Sequence, residues 1–273
     1  MQRHHSCPRE EPCWSPAHRW AWAAPPPICW RSAAGTSSAP AATPEHYHAE
    51  QFAMLPLDVT DEDSVEECIG EIMHRVGRLD GLVNNAGYGL LGMVEEPTVE
   101  EARRQLEVNY FGGHRMCRAV LPIMREQGAG HIVNVSSLSG IIGTPPSGHY
   151  VASKHALEGY TDVLKYEVEQ FGIRVALVEP GYTRSRFREN VARPAEPIAA
   201  YDELRERLNA RREMTEGRAA PSRAVARTIA RVLNARRPRL RYTCTRGDWM
   251  IAHLRCWLPE ATIRWLVRRV FGV

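Results

Sequence analysis

Lysine is nearly absent from this chain: 33 arginines stand against two lysines, Lys154 and Lys165, in 273 residues. With so few, the place each one occupies is informative. Uninterrupted runs of about twenty apolar residues are also missing, which excludes a membrane-spanning helix. The N-terminus has no apolar segment of the kind a secretory signal needs. The seven cysteines (7, 13, 29, 68, 117, 244, 256) form no C-x-x-C pair and no ligand spacing, so no metal site is expected and a reducing cytoplasm is the expected compartment. A net charge of +3 is too small to argue for nucleic acid, and arginines along helices without an aromatic platform read as a solvated face.

The first fifty residues lack Val and Leu altogether and hold one Ile, Ile28, and one Gly, Gly35. Strands buried on both faces of a parallel sheet need branched aliphatics, so nothing in this stretch is expected to form them. Four of the seven tryptophans, three cysteines and Pro25-Pro26-Pro27 fall here, a composition unlike a linker or a low-complexity tail.

From residue 51 onward the pattern changes. The chain is long enough to bury a large core, and 44% apolar with 25% charged residues is ordinary for a globular protein. Strand-like and helix-like segments alternate, which predicts an α/β fold with a doubly wound parallel sheet in a single domain, 51–273. Phe52 to Leu57 reads as a strand, and Val65, Ile69, Ile72, Met73 and Val76 recur at helical spacing before Gly77. Leu79 to Asn84 returns as strand, and Thr98 with Glu101 is a capping-box signature for a helix carrying Leu106 and Asn109. His131 to Ser136 and Arg174 to Glu179 are further strands, on either side of a helix from about Tyr150 to Phe171.

Within that helix, Tyr150-Val151-Ala152-Ser153-Lys154 stacks a phenol and an ammonium one turn apart, where the cation favours the phenolate. A surface Tyr/Lys pair has the same spacing, so companions matter. Ser137 lies thirteen residues before Tyr150, and Asn84-Asn85-Ala86-Gly87 ends an earlier apolar run. With Asp58 in Leu57-Asp58-Val59-Thr60, Asn109 in Val108-Asn109-Tyr110, and Pro180-Gly181, the chain from about Phe52 to its end resembles the short-chain dehydrogenase/reductase family.

The resemblance implies a Rossmann-like fold and hydride transfer between a nicotinamide cofactor and an alcohol or a ketone/aldehyde; the cofactor expected is NADP(H) or NAD(H), NADP(H) slightly favoured because Ala39 to Ala42, read in a shifted frame, can supply arginine for a 2'-phosphate. It implies Tyr150 as general acid/base, Ser137 as holder of the substrate oxygen, with Ser136 the decoy, and Asn109 as the residue that distorts its helix and links Lys154 to solvent. Lys154 would also reach the nicotinamide ribose. Asp58 and Val59 would meet the adenine, although Asp58 could equally cap the next helix. Asn84, Ala86 and Gly87 would line the ribose, and Pro180, Gly181 and Thr183 would shape the carboxamide pocket, with Ser185 where a threonine is usual. Homodimer or homotetramer formation is a family expectation. Gly148-His149-Tyr150 and Glu179-Pro180-Gly181-Tyr182 are similar to hydroxysteroid- and retinol-type members, which implies an apolar alcohol or carbonyl substrate.

The family also needs a Gly-rich turn after its first strand, so that backbone N–H groups can approach the cofactor pyrophosphate. With one glycine before Gly70 that turn is absent, and the first βαβ unit is expected to be missing or disordered. A shifted reading frame accounts for the composition. Read from the third base of the Cys13 codon, the codons for Cys13 to Ala23 admit LVTGASVGLG, with both final glycines forced by Trp20-Ala21 and Trp22-Ala23. A catalytically impaired relative lacking the phosphate turn is therefore the alternative function. Residues 182–220, polar and broken by Pro194 and Pro197, are expected to form a substrate lid. Two amphipathic helices, broken at Pro259, are expected beyond Trp249. They either cover the substrate pocket or touch a membrane surface through arginines 255, 264, 268 and 269.

Overall fold

A computed structural model describes residues 20–22, 28–32, 53–217 and 219–273, with the backbone alone at 20–22, 28–32, 53–54 and 216. The strands are β1 (Trp20–Trp22), β2 (Ile28–Ser32), β3 (Ala53–Leu57), β4 (Gly81–Asn84), β5 (Gly130–Val135), β6 (Ile173–Glu179), β7 (Thr183–Arg184), β8 (Ala220–Pro221) and β9 (Arg241–Thr243). The helices are α1 (Glu62–Val76), α2 (Val99–Leu106), α3 (Gly112–Gln127), α4 (Gly148–Val168), α5 (Asp202–Glu216), α6 (Ser222–Leu233), α7 (Arg246–Trp257) and α8 (Glu260–Phe271).

Seven strands form the main sheet in the order β3-β2-β1-β4-β5-β6-β9. From β4 to β9 every pairing is parallel, with β5 and β6 in register over six residues from Gly130↔Ile173 to Val135↔Val178. Alternate residues of each strand enter opposite cores, as the two-residue period requires. Leu82, Ile132 and Val175 pack with Ile69 of α1, Val120 of α3 and Leu164 of α4. Val83, Val133 and Val178 pack with Ile229 and Val232 of α6 on the other face.

The sequence-predicted boundaries are met closely where end signals are local. Gly77 closes α1 at φ 72, a left-handed conformation that glycine adopts without a Cβ penalty. Thr98 and Glu101 form the reciprocal capping box of α2.

One expectation is corrected. The first fifty residues do supply two strands, because ladder hydrogen bonds use backbone groups that an aliphatic-poor sequence also carries. They do not supply a βαβ unit. β1 runs antiparallel to both β2 and β4, and the five residues between β1 and β2 are too few for a helical crossover. Residues 1–19, 23–27 and 33–52, where the phosphate turn was expected to be absent, lie outside the described residues. The segment after Gly181 forms β7, β8 and α5, and Leu208 of α5 is buried. Glu96 holds this segment from below: its carboxylate accepts from the Met93 and Ile198 amides and pairs with Arg205.

Candidate active site

The C-terminal ends of β4, β5 and β6 converge with the start of α4, where an open α/β sheet leaves a crevice. Ser137 lies just past β5 in extended conformation and caps the short turn Leu138–Gly140. Its Oγ accepts from the Ser139 amide at 3.1 Å and donates to the Pro180 carbonyl at 3.4 Å, so β6 and the serine are tied together. Pro180 O also accepts from Leu138 N at 3.0 Å. Tyr150 stands in the first turn of α4 and Lys154 one turn further on, where the lysine is 5% exposed. Lys154 Nζ donates to the Val135 carbonyl at 2.9 Å and lies 5.9 Å from the centre of the Tyr150 ring.

The helix carrying these groups is held in register by a buried polar chain. Asn84 Nδ2 donates to Asn134 Oδ1 at 2.8 Å, Asn134 Nδ2 to Thr161 Oγ1 at 2.8 Å, and Thr161 Oγ1 to the Leu157 carbonyl at 2.6 Å. β4, β5 and α4 are thereby joined through Asn134 and Thr161, neither of which reaches solvent. The side-chain amide of Asn84 thus serves the interior.

Asn109 sits where α2 opens into a π-helical turn, Glu107–Phe111, a distortion that re-aims side chains inside a helix. Its Nδ2 donates to Tyr88 O and Ser153 Oγ, both at 3.0 Å, and its Oδ1 accepts from Tyr88 N at 3.0 Å. Asn109 is thus pinned to the helix of the Tyr/Lys pair. A Cβ on Gly87 would come 3.0 Å from Asn109 Oδ1 and 3.8 Å from Lys154 Nζ, so Gly87 keeps a gap open between them. Ala86, Val59, Asn84 and Asn109 line a narrow, partly open pocket that continues this gap towards α3. Ser137 and Tyr150 do not line it.

Asp58 does not cap α1, since Asp61 does so by accepting from Asp63 N. Instead, Asp58 Oδ1 accepts from both the amide and the hydroxyl of Thr60, at 2.9 and 2.8 Å. Val59 is buried, and a Cβ on Gly112 would collide with it at 2.6 Å. Thr183 Oγ1 donates to the Gly181 carbonyl at 3.1 Å, and a side chain on Gly181 would strike the Asp248 carboxylate of α7 at 2.2 Å. Ser185 caps the turn Arg186–Arg188.

The electrostatics depart from expectation. Burial pushes the Tyr150 phenol up to about 12, against the nearby Ser137 hydroxyl, which lowers it. Burial likewise drives the Lys154 ammonium down to about 8, against the pull of Glu158. In the protein alone, desolvation therefore outweighs the attraction read from the i,i+4 spacing.

Two further residues, Phe187 and Arg241, escaped the sequence. The Phe187 ring packs 5.7 Å from that of Tyr150, a lone aromatic in an arginine-rich stretch. Arg241 of β9 pairs with Glu158 at 3.1 Å, Asp162 at 2.6 Å and Glu179 at 3.2 Å, behind Lys154 and beside Pro180. One guanidinium cannot neutralise three carboxylates, and burial raises Glu179 to about 7. Only the Glu-Pro-Gly triplet hinted at that knot.

Residues 28–196 match the family model described as short chain dehydrogenase. The chain belongs to the short-chain dehydrogenase family. A short-chain dehydrogenase structure from Streptomyces avermitilis superposes with a TM-score of 0.67 at 33% identity, over 81% of this chain and 82% of that one. ElxO, solved with NADP bound, superposes with a TM-score of 0.58 at 27% identity over 74% and 79%. The 3-ketodihydrosphingosine reductase of Bacteroides thetaiotaomicron is 46% identical over 137 residues, 50% of this short-chain dehydrogenase and 51% of that protein. The chain thus spans about half the length of that relative. Among the described residues no helix is long and apolar enough to cross a membrane.

Proposed function

We propose that this chain is an NAD(P)-dependent oxidoreductase that interconverts an alcohol with a ketone or aldehyde on an apolar substrate. The observation that carries this reading is the meeting of Ser137, Tyr150 and Lys154 at the ends of β5 and β6, with Lys154 Nζ 5.9 Å from the Tyr150 ring and the serine near enough to the phenol to favour its ionised form. Tyr150 would give a proton to the carbonyl oxygen in reduction and take it back in oxidation. Ser137 would hold that oxygen beside the phenol. Lys154 would favour the phenolate once the site is filled, and Asn109, hydrogen-bonded to Ser153 in the intervening turn, fixes the helix that carries both. Phe187 gives the substrate side an apolar wall. The named activity of the 3-ketodihydrosphingosine reductase, a ketone reduction, supports an apolar ketone as substrate for this chain.

The gap that Gly87 keeps open, and the pocket bordered by Val59 and Ala86, support this side of the sheet as the place where a dinucleotide would lie. Asp58, Val59, Asn84, Ala86 and Gly87 would hold its adenosine side and Lys154, Pro180, Gly181 and Thr183 its nicotinamide side. The cofactor, NADP(H) ahead of NAD(H), supplies the hydride, while the protein supplies position and a proton. The phosphate turn is the part this sequence lacks, and the shifted reading frame across the first fifty residues explains why. The chain as written is then a weak cofactor binder, and the frame-restored chain a competent one. Resequencing the DNA across codons 1 to 50 tests this: a restored glycine-rich turn is expected, and a verified frame as written would refute it.

A further inference from the structure

α7 is built the reverse of an ordinary surface helix. None of its residues is buried, yet it carries Trp249, Met250, Ile251, Leu254 and Trp257, the last 83% exposed. It is held to the protein by polar groups. Thr245 and Asp248 form its capping box, Asp248 abuts Gly181, and Arg255 Nε donates to the Ile141 carbonyl at 3.2 Å. α8 continues the pattern: Ile263 alone is buried, and Trp265 and Val270 face outward. A surface helix normally turns its apolar side inward, and exposed apolar surface of this extent marks a place where something binds.

The charge says what. Residues 246–273 hold five arginines against Asp248 and Glu260, a net of +3 equal to that of the whole chain, so the other 245 residues are neutral on balance. Arg264, Arg268 and Arg269 are exposed, and Arg269 stacks on Trp265 at 5.6 Å. A second copy of the chain meeting this face about a two-fold axis would set arginines against arginines. An anionic lipid surface offers the opposite charge together with an apolar layer, and tryptophan favours the boundary between the two.

We propose that α7 and α8 dock on an anionic phospholipid bilayer. Trp249, Leu254, Trp257 and Trp265 enter the headgroup boundary, and Arg264, Arg268 and Arg269 meet phosphates. The inner side of α7 touches Gly181 and the loop after Ser137, so docking brings the substrate entrance to the membrane. That last step, and only that, rests on the oxidoreductase reading: a lipid-like ketone could then reach Tyr150 without crossing water.

The test is co-sedimentation of the full chain with vesicles of phosphatidylcholine alone or with about one third phosphatidylserine, at about 0.1 M and about 1 M salt. Binding to the serine-lipid vesicles is expected to be at least about tenfold tighter and to weaken at high salt. The triple variant Arg264→Glu, Arg268→Glu, Arg269→Glu should lose that margin and Trp257→Ala should weaken binding, whereas Arg75→Glu on the remote face of α1 should bind as the parent does. Circular dichroism verifies that each variant is folded. Equal binding to both vesicles, unchanged binding by the folded triple variant, or concentration-dependent dimerisation that Trp257→Ala abolishes would overturn the proposal. Because vesicle binding requires no turnover, a failure of the oxidoreductase reading would leave this result unaffected.

Discussion

The two halves of the sheet obey different rules. On the β4-β5-β6 side the strands are parallel, rich in branched aliphatics and capped by the residues that meet at the crevice. On the β1-β2-β3 side the slots are filled, but β1 runs against both of its neighbours. The comparison teaches that a strand's place can be taken by almost any backbone, whereas a site cannot. Ladder bonds need only N–H and C=O groups, but a phosphate cradle needs glycines at fixed positions. The β4-β5-β6 side therefore keeps the residues that meet at the crevice, where the other side keeps only its strands.

The contrast breaks most visibly at Tyr150. In the frame-restored chain, Tyr150→Phe should lower turnover by about 10²–10⁴-fold with cofactor binding little changed, measured as ketone-dependent NADPH oxidation. Unaltered turnover would remove the phenol from the chemistry.

The next effect lies in the polar chain beneath α4. Asn134→Leu leaves the Asn84 amide without its 2.8 Å partner, and the expected loss is about 1–3 kcal/mol of stability by denaturant unfolding. A variant as stable as the parent would show that the chain from Asn84 to Thr161 does not hold the helix.

The smallest effect is a pH dependence. Glu179 rises in the folded protein from the ordinary 4.5 to about 7. Between those values the folded state holds a proton that the unfolded state has released, so this group's contribution to stability is full below about 4.5 and is lost as pH rises to about 7. Glu179→Gln, neutral at every pH, should flatten that slope in melting temperatures taken across the window. An unchanged slope would place the proton elsewhere in the Arg241 knot.

Much of this was legible because it is local. Gly77, the Thr98 capping box and the alternation of β5 and β6 depend on neighbours in sequence, as does the Tyr150/Lys154 spacing. What the letters concealed is long-range or dielectric. Asn134 reads as a misplaced polar residue in a strand until Asn84, fifty positions away, and Thr161 of the next helix meet it. Arg241 reads as a surface charge until β9 lies beside β6. Spacing gives the distance of the cation from Tyr150 and not the depth of burial, which raises the phenol in the protein alone. The exposure of Trp257 likewise follows from α7 being held by polar contacts at its inner edge, which its apolar spacing does not reveal.

The most direct test of the account is a fluorescence titration of NADPH against the chain as written and against the same chain with the reading frame of its first fifty residues restored. Weak binding by the former and tight, saturable binding by the latter is the expected result. Equal, tight binding by both would contradict the account, because it would mean that the pyrophosphate is held without the glycine-rich turn.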